Sequence, residues 1–336
     1  MAINKRIIKS NDEGAVVVPT ESFNTVLHTP NNSGSDRSLT GVGFPPDFVW
    51  MKYRYSTPAV GQHYLFNSVT GDSILKSNAT QAEFTGYITS FDPDGVTYLD
   101  TLINRTGTDS VVAWCWKAGG AVTPNNNTNG TIPSTVSANP DAGFSIVKFT
   151  ASSNTNDTLG HGLSSAPEMI IYKRLDGTSN WTVYTNVIDG SWDYLRLNLT
   201  DAKTDDSGTW STASTIKNIS TANNWISYCF HSVAGYQKVG SYTGNTSTLP
   251  SVDLGFSPRF VMIKEATDTG SWLIYDSVRP SDPATQNNNI LFANSDSQES
   301  ISAGNVLNFT STGFDIEAGT SELNTNGSTY IYLAIA

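Results

Sequence analysis

Four histidines, two cysteines and one Asp-Pro-Asp-Gly turn are the residues of this chain whose types could do chemistry. His28, His63, His161 and His231 could ligate a metal or act as a base. No two of them stand at a spacing such as His-Glu-x-x-His, which fixes both rings on one face. They read as turn and surface residues. Asp92-Pro93-Asp94-Gly95 offers two carboxylates at a sharp turn, a fragment of a calcium loop. A full loop needs further oxygen ligands and an acidic residue at its twelfth position, which is missing here. The turn reads as a hairpin tip. There is no Gly-x-Ser-x-Gly elbow and no phosphate-binding glycine loop. Asn-x-Ser/Thr triplets, Asn78-Ala79-Thr80, Asn180-Trp181-Thr182 and Asn308-Phe309-Thr310 among them, follow from a composition rich in Asn and Thr. The expectation is a chain with no catalytic residue, no cofactor and no metal.

Aromatic rings next to polar groups are the better lead. Tyr53 and Tyr55 follow an apolar run, and Trp192, Tyr194 and Trp210 stand near Asp193, Arg196 and Asp201. Exposed rings flanked by polar side chains are what sugar-binding surfaces use, because the C–H face of a pyranose stacks on them. The competing reading is that these rings cover sheet faces or an interface.

The elements that must position these residues come in triplicate, and repeats of this kind decide the architecture. Gly43-Phe44-Pro45-Pro46-Asp47-Phe48-Val49-Trp50-Met51-Lys52 recurs from Gly162 to Lys173 and again from Gly255 to Lys264. Each copy is a glycine step, a proline-bearing turn, an apolar run and a closing lysine. Upstream stand Phe23 to Leu27, Phe144 to Phe149 and Tyr236 to Tyr242; downstream stand His63-Tyr64-Leu65-Phe66, Asn180-Trp181-Thr182-Val183 and Ser271-Trp272-Leu273-Ile274. The alignment pairs Tyr64 with Trp181 and Trp272. Each copy ends on an aromatic run: Val111 to Trp116, Trp225 to Phe230, Tyr330 to Ile335. Cys115 and Cys229 hold one register position there and Ala334 holds the third, so both cysteines read as free, buried thiols.

Short alternating runs rich in β-branched and aromatic residues, separated by Gly, Asn, Asp and Pro, are strand-and-turn signatures. No amphipathic helix of useful length is visible. The pattern predicts an all-β chain of three tandem antiparallel β-sandwich-like units, with side chains alternating between core and surface. The units fall at 23–121, 143–234 and 235–336, after an N-terminal arm over 1–22 and with a linker or strap over 122–142. The direct passage from Cys229 to Tyr236 predicts the tightest packing between the second and third units. The arm carries Lys5, Arg6 and Lys9 and the apolar stretches Ile7-Ile8 and Val16-Val17-Val18, which could add a strand to a neighbour's sheet edge.

Composition excludes several classes. The formal net charge is −11, with 19 Lys and Arg against 30 Asp and Glu. Nucleic acid binding needs clustered cations to displace phosphate counterions, so that class is disfavoured. No apolar run is long enough for a membrane helix, and the N-terminus has no hydrophobic core of a secretory signal.

The pattern Gly43-Phe44-x-Pro46-Asp47-Phe48-Val49-Trp50-x-Lys52-x-Arg54 resembles a repeat family of uncharacterised virion proteins of tailed phages, notably those of marine bacteria and cyanobacteria. So do Ser134 to Pro140 leading into Gly143 to Val147, Ala113 to Gly120, and Gly240 to Asn245. The resemblance runs from Phe23 onward. It implies a non-enzymatic virion structural protein, either a host-adsorption appendage (tail fibre or spike) or a decoration on capsid or neck. It also implies assembly in the host cytoplasm, other virion proteins as partners, a homo-oligomer such as a trimer, and a host surface glycan as a ligand. A free carbohydrate-binding module is the alternative, and a cell-surface polysaccharide depolymerase comes third.

Overall fold

A computed structural model describes residues 18–29, 36–55, 61–99, 102, 110–219, 222–279, 289–301, 306–317 and 322–336. The N-terminal arm lies outside the described residues except for 18–22, where Pro19–Glu21 make a 3-10 turn. Everything else regular is antiparallel strand, so the chain is all-β.

The first unit holds β1 (Phe23–His28), β2 (Arg37–Leu39), β3 (Phe48–Tyr55), β4 (His63–Asn67), β5 (Ile74–Leu75), β6 (Ile88–Asp92), β7 (Gly95–Tyr98) and β8 (Ser110–Trp116). The second holds β9 (Thr135–Asn139), β10 (Phe144–Thr150), β11 (Thr158–Gly160), β12 (Met169–Arg174), β13 (Thr182–Thr185), β14 (Asp193–Arg196), β15 (Thr204–Asp205), β16 (Thr215–Lys217) and β17 (Asn224–Phe230). The third holds β18 (Gln237–Thr243), β19 (Ser251–Asp253), β20 (Phe260–Glu265), β21 (Trp272–Asp276), β22 (Asn289–Phe292), β23 (Ser300–Ile301), β24 (Leu307–Phe309), β25 (Gly313–Ile316) and β26 (Thr329–Ile335).

One main sheet recurs in each unit. Its order is β1-β8-β3-β4-β5, then β10-β17-β12-β13-β14, then β18-β26-β20-β21-β22. The registers agree residue by residue. Phe48 pairs with Trp116, Met169 with Phe230 and Phe260 with Ile335. Cys115, Cys229 and Ala334 are therefore equivalent, and both cysteines are free and buried. The stretch 122–142, expected as a linker or strap, contributes β9, which pairs along β10 and widens the second sheet. A smaller sheet covers each main sheet: β2-β7-β6, β11-β16 and β19-β25-β24.

The expected alternation between core and surface fails in the central strands. Every residue from Phe48 to Tyr53 is buried, as are all six of β20. These strands are covered on both faces, so they read as continuous apolar runs instead of alternating ones. Val49, Met51 and Cys115 pack under the small sheet of unit one. Phe48, Trp50, Trp114 and Trp116 face the other way, into a core shared with Phe144, Ile171 and Tyr228 of unit two and Phe260, Met262 and Leu333 of unit three. Ring contacts cross the unit boundaries: Phe48 to Tyr228 at 4.5 Å, and Trp116 to Phe260 at 5.6 Å. At the centre lies an apolar void of about 10 Å³, lined from all three units. That volume is at the limit for one water molecule and offers it no polar partner.

The units also join through one set of backbone bonds made three times. Ser179 N donates to Thr80 O, Gly270 N to Thr200 O and Gly61 N to Asp296 O, at 2.8 to 2.9 Å. Glu83 N donates to Leu175 O, Lys203 N to Ala266 O and Glu299 N to Arg54 O, at 2.7 to 2.9 Å. Unit one thus grips unit two, unit two grips unit three, and unit three returns to unit one. A head-to-tail contact whose rotation closes makes a ring, and here the ring is built within one chain.

Candidate functional site

The closing lysines of the repeat are where titratable groups meet this ring. Lys52, Lys173 and Lys264 are fully buried. Each ammonium reaches the carbonyl that already serves the neighbouring unit: Lys52 to Asp296 O at 3.2 Å, Lys173 to Thr80 O at 2.9 Å, Lys264 to Thr200 O at 3.2 Å. Further carbonyls complete the cradles, from Gly61 for Lys52, Ser179 for Lys173, and Glu265 and Asp268 for Lys264. Burial lowers Lys52 to about 7 against a raising pull from Asp296, and lowers Lys173 and Lys264 to about 8. Carbonyl oxygens only accept, so these cradles oppose that loss of charge.

Opposite each lysine stands a ring with an N–H. Lys52 pairs with His63 and Lys264 with Trp272, while Thr182 opposite Tyr172 puts Trp181 across from Lys173. The equivalent of Trp181 and Trp272 is therefore His63, and the alignment with Tyr64 is one residue out. All three rings donate to the same carbonyl of the neighbouring unit: His63 Nε2 to Phe292 O at 2.9 Å, Trp181 Nε1 to Lys76 O at 2.8 Å, Trp272 Nε1 to Arg196 O at 2.9 Å. His63 Nδ1 accepts from Trp50 Nε1 at 2.7 Å, which sets the neutral tautomer. Burial, then the Lys52 charge, hold this imidazole well below its ordinary value. His63 is a structural donor in the core, not the surface residue expected.

The other candidates also have structural partners. His161 is buried, its Nε2 bonded to Thr212 O at 3.2 Å, while His231 is buried with Nδ1 bonded to Ser232 O at 2.9 Å. His28 Nε2 meets the Tyr98 hydroxyl at 2.9 Å. Asp94 accepts from the backbone of Gly41 and Gly43, and Asp92 from the hydroxyls of Ser90 and Thr97. That carboxylate pair stitches a hairpin to its neighbouring loop. Among the described residues three carboxylates, Asp189, Asp193 and Asp205, converge closely enough for a metal. Lys203 Nζ contacts all three, at 2.7, 3.1 and 2.7 Å, and supplies the cation itself.

Among the described residues the side-chain network at the seam between units three and one has no counterpart at the other two seams. Arg54 makes a two-pronged contact with Glu299, at 2.8 and 2.9 Å, and Arg279 bonds Glu299 at 3.0 Å and Asp276 at 2.5 Å. Trp114 Nε1 donates to Asp276 at 2.9 Å, and Tyr55 and Asn289 add bonds to Glu299. Burial pushes Glu299 up, but the bonds from Arg54 and the charge of Arg279 outweigh it and hold the carboxyl at about 2. The sequence offers no local signal for the closure of this network, in which Arg54 and Tyr55 reach Glu299 across more than two hundred positions.

Of the five aromatic candidates, Tyr53, Trp192 and Trp210 are buried. Tyr53 packs under the small sheet of unit one and carries no surface role. Tyr55 is 39% exposed, with Arg54 over its ring and its hydroxyl on Glu299. Trp192, Tyr194 and Trp210 come together on the outer face of the second main sheet, as their clustering in sequence suggested; Asp201 is not among the groups that contact them. Trp210 stacks on Tyr184 at 3.3 Å, and Tyr184 meets Tyr194 at 5.7 Å. Arg196 lies over Tyr194 at 4.7 Å and Lys217 over Trp210 at 4.8 Å. The place of β6 and β24 is taken here by 210–212, where Lys217 N donates to Trp210 O at 2.9 Å and Thr212 N to Thr215 O at 2.8 Å around a bridge between Ser211 and Ile216, and Gly130 bridges Leu159 on the other edge of this cover.

These features define an all-β ring of three two-layered units with a shared apolar centre. Residues 18–336 match the family described as Domain of unknown function (DUF7483), and the chain belongs to that family. No curated protein and no solved structure matches the chain. No helix among the described residues is long and apolar enough to cross a membrane.

Proposed function

We propose that this chain is a non-enzymatic structural protein of a virion. The closed ring carries this reading: the three closing lysines and His63 bond one unit to the next, and Lys203 occupies the centre of the acidic cluster. Such a body is a rigid building block. The resemblance of its repeats to tailed-phage virion proteins supplies the setting. Of the two positions that setting allows, the partly exposed rings of Tyr55, Tyr184 and Tyr194, each beside a charged or polar group, favour a host-adsorption appendage over a capsid or neck decoration. Gold-labelled antibody against the chain, applied to purified particles and to the soluble lysate, tests this. The expected outcome is label at one repeated place on intact particles. Protein that remains wholly in the soluble fraction would exclude a virion role.

A further inference from the structure

We infer that the outer edge of β1 is a docking site for the chain's own residues 14–18, paired along it as β9 pairs along β10. The inference goes beyond the virion reading and holds with or without it. Ser22 O accepts from Lys117 N at 2.9 Å, as Gly143 O accepts from His231 N at 3.0 Å. Bonded pairs alternate in an antiparallel ladder, so the main chain of Phe23, Thr25 and Leu27 points away from β8. The equivalent residues of β10, Phe144, Ile146 and Lys148, pair with Asn139, Ser137 and Thr135. In unit three Gln237 exchanges both main-chain bonds with Val233, and Val239 bonds the Ser232 hydroxyl. Twice, then, the chain just ahead of the edge strand doubles back over it. Among the described residues no main-chain group does so for β1, and Thr25 N meets only the adjacent Asn24 Oδ1, at 2.9 Å. The difference shows in exposure. Val147, beside β9, is fully buried, while its equivalent Val26 is half-buried and Leu27 is 41% exposed. An open edge of this kind is a liability unless something covers it.

The turn leading into β1 identifies the occupant. Ser22 N donates to Pro19 O at 3.2 Å, Gly143 N to Pro140 O at 3.3 Å and Tyr236 N to Val233 O at 3.0 Å, so one turn precedes the edge strand in all three units. Pro19 stands four residues before Phe23, as Pro140 stands four before Phe144. Carrying the register of β9 across sets Val18 opposite Phe23, Val16 opposite Thr25 and Gly14 opposite Leu27. Residues before 18 lie outside the described ones, and their sequence, Gly14-Ala15-Val16-Val17, is rich in a β-branched residue that suits a strand. Ala15 opposite Val26 matches Val136 opposite Val147, a pair packed under the small sheet of unit two. Arg259 points the same way. Asp47 and Glu168, each one residue before an anchor strand, accept main-chain N–H groups of the chain leaving their units, from Ala118 and Gly120 and from Ser232. Arg259 holds that position in unit three. Its Nη2 donates to Asn24 of β1 at 2.7 Å, and its Nη1 is buried without a partner among the described residues. A buried donor requires an acceptor, and a carbonyl of the returning segment supplies one. A strand from another molecule would have no need of the turn.

Paired cysteines in the full chain test the register. Ala15 and Val26 form a non-hydrogen-bonded pair in it, with Cα atoms about 4.5 Å apart and within disulfide reach. Val16 lies on the opposite face of the strand. The chain carrying Ala15→Cys with Val26→Cys should therefore oxidise about tenfold faster, or more, than the chain carrying Val16→Cys with Val26→Cys. Non-reducing electrophoresis and mass analysis should place the bond within one chain. Hydrogen exchange at the Leu27 amide gives a second reading that needs no cysteine. That amide should exchange about tenfold more slowly, or better, in the parent than in Val16→Pro, which removes a ladder N–H. Val17→Pro, whose N–H points away from β1, should keep the protection. Equal oxidation of the two cysteine chains, a bond that joins two chains, or a Leu27 amide that exchanges as fast in the parent as in Val16→Pro would overturn the inference.

Discussion

Lys52, Lys173 and Lys264 each close an anchor strand and each bond a neighbouring unit, so their protonation is tied to the ring. A lysine depressed in the folded state holds fewer protons there than in the unfolded chain between the two values. Stability should therefore rise with pH from about 7 toward 10, the window between Lys52 at about 7 and its ordinary 10.5. Thermal melts across pH 7 to 10 check this. Lys52→Met should flatten the slope, and a slope unchanged by that substitution would assign it elsewhere. Glu299 behaves in the opposite sense. Held at about 2, its contribution is complete above its ordinary 4.5 and is lost as pH falls toward 2. Glu299→Gln leaves Arg54 and Arg279 short of a partner in a buried network, which costs about 3–5 kcal/mol. A shift in urea midpoint corresponding to less than about 1 kcal/mol would show that the seam is solvated.

At the scale of strands, the inner elements carry the stability and the register decides what each tolerates. Cys115 occupies the position that Ala334 holds in unit three, so Cys115→Ala should cost about 1 kcal/mol or less. Trp114 on the same strand faces the shared centre and bonds Asp276, so Trp114→Ala should cost about 3–5 kcal/mol. Chemical denaturation of the two variants side by side measures the difference. This register was legible in the sequence because strands covered on both faces admit only apolar or small residues, and their pattern survives in all three copies. The donor strand was misaligned by one residue because His63 does not look like Trp181 or Trp272, although all three perform the same N–H donation. The segments Leu75 to Thr80, Leu195 to Thr200 and Leu291 to Asp296 form a further landmark that reads as ordinary Asn-rich composition. Its work is done by backbone carbonyls, which constrain side chains only at Asn198 and Asn294, whose Oδ1 atoms accept from Trp181 N and Trp272 N. The aromatic face of unit two was half legible. Its residues cluster in sequence, but the turn that brings 210–212 back along 215–217 and lays Trp210 over Tyr184 is too short to signal its own pairing.

Across the whole molecule, the three units are parts of one body, which the sequence alone did not reveal. Tandem sandwiches would each own a core, whereas here Phe48, Tyr228 and Phe260 meet at one centre. The tight second-to-third junction expected from the short connection is one of three equivalent joints, and the seam most heavily bonded by side chains is the one farthest apart in sequence. A single unit released from the ring would expose Ile146, Ile171, Trp181, Tyr228 and Phe230 to water together. At about 25 cal/mol per Å² of apolar surface, that exposure removes most of what a domain of this size has to spare. Unfolding of the intact chain should accordingly be a single cooperative event. The most direct measurement is expression of residues 122–234 alone, examined by near-ultraviolet circular dichroism and urea titration beside the full chain. The ring predicts that the isolated unit aggregates or lacks fixed tertiary structure, while the full chain unfolds in one transition. A soluble monomeric unit with a native-like spectrum and its own sharp transition would contradict the shared core.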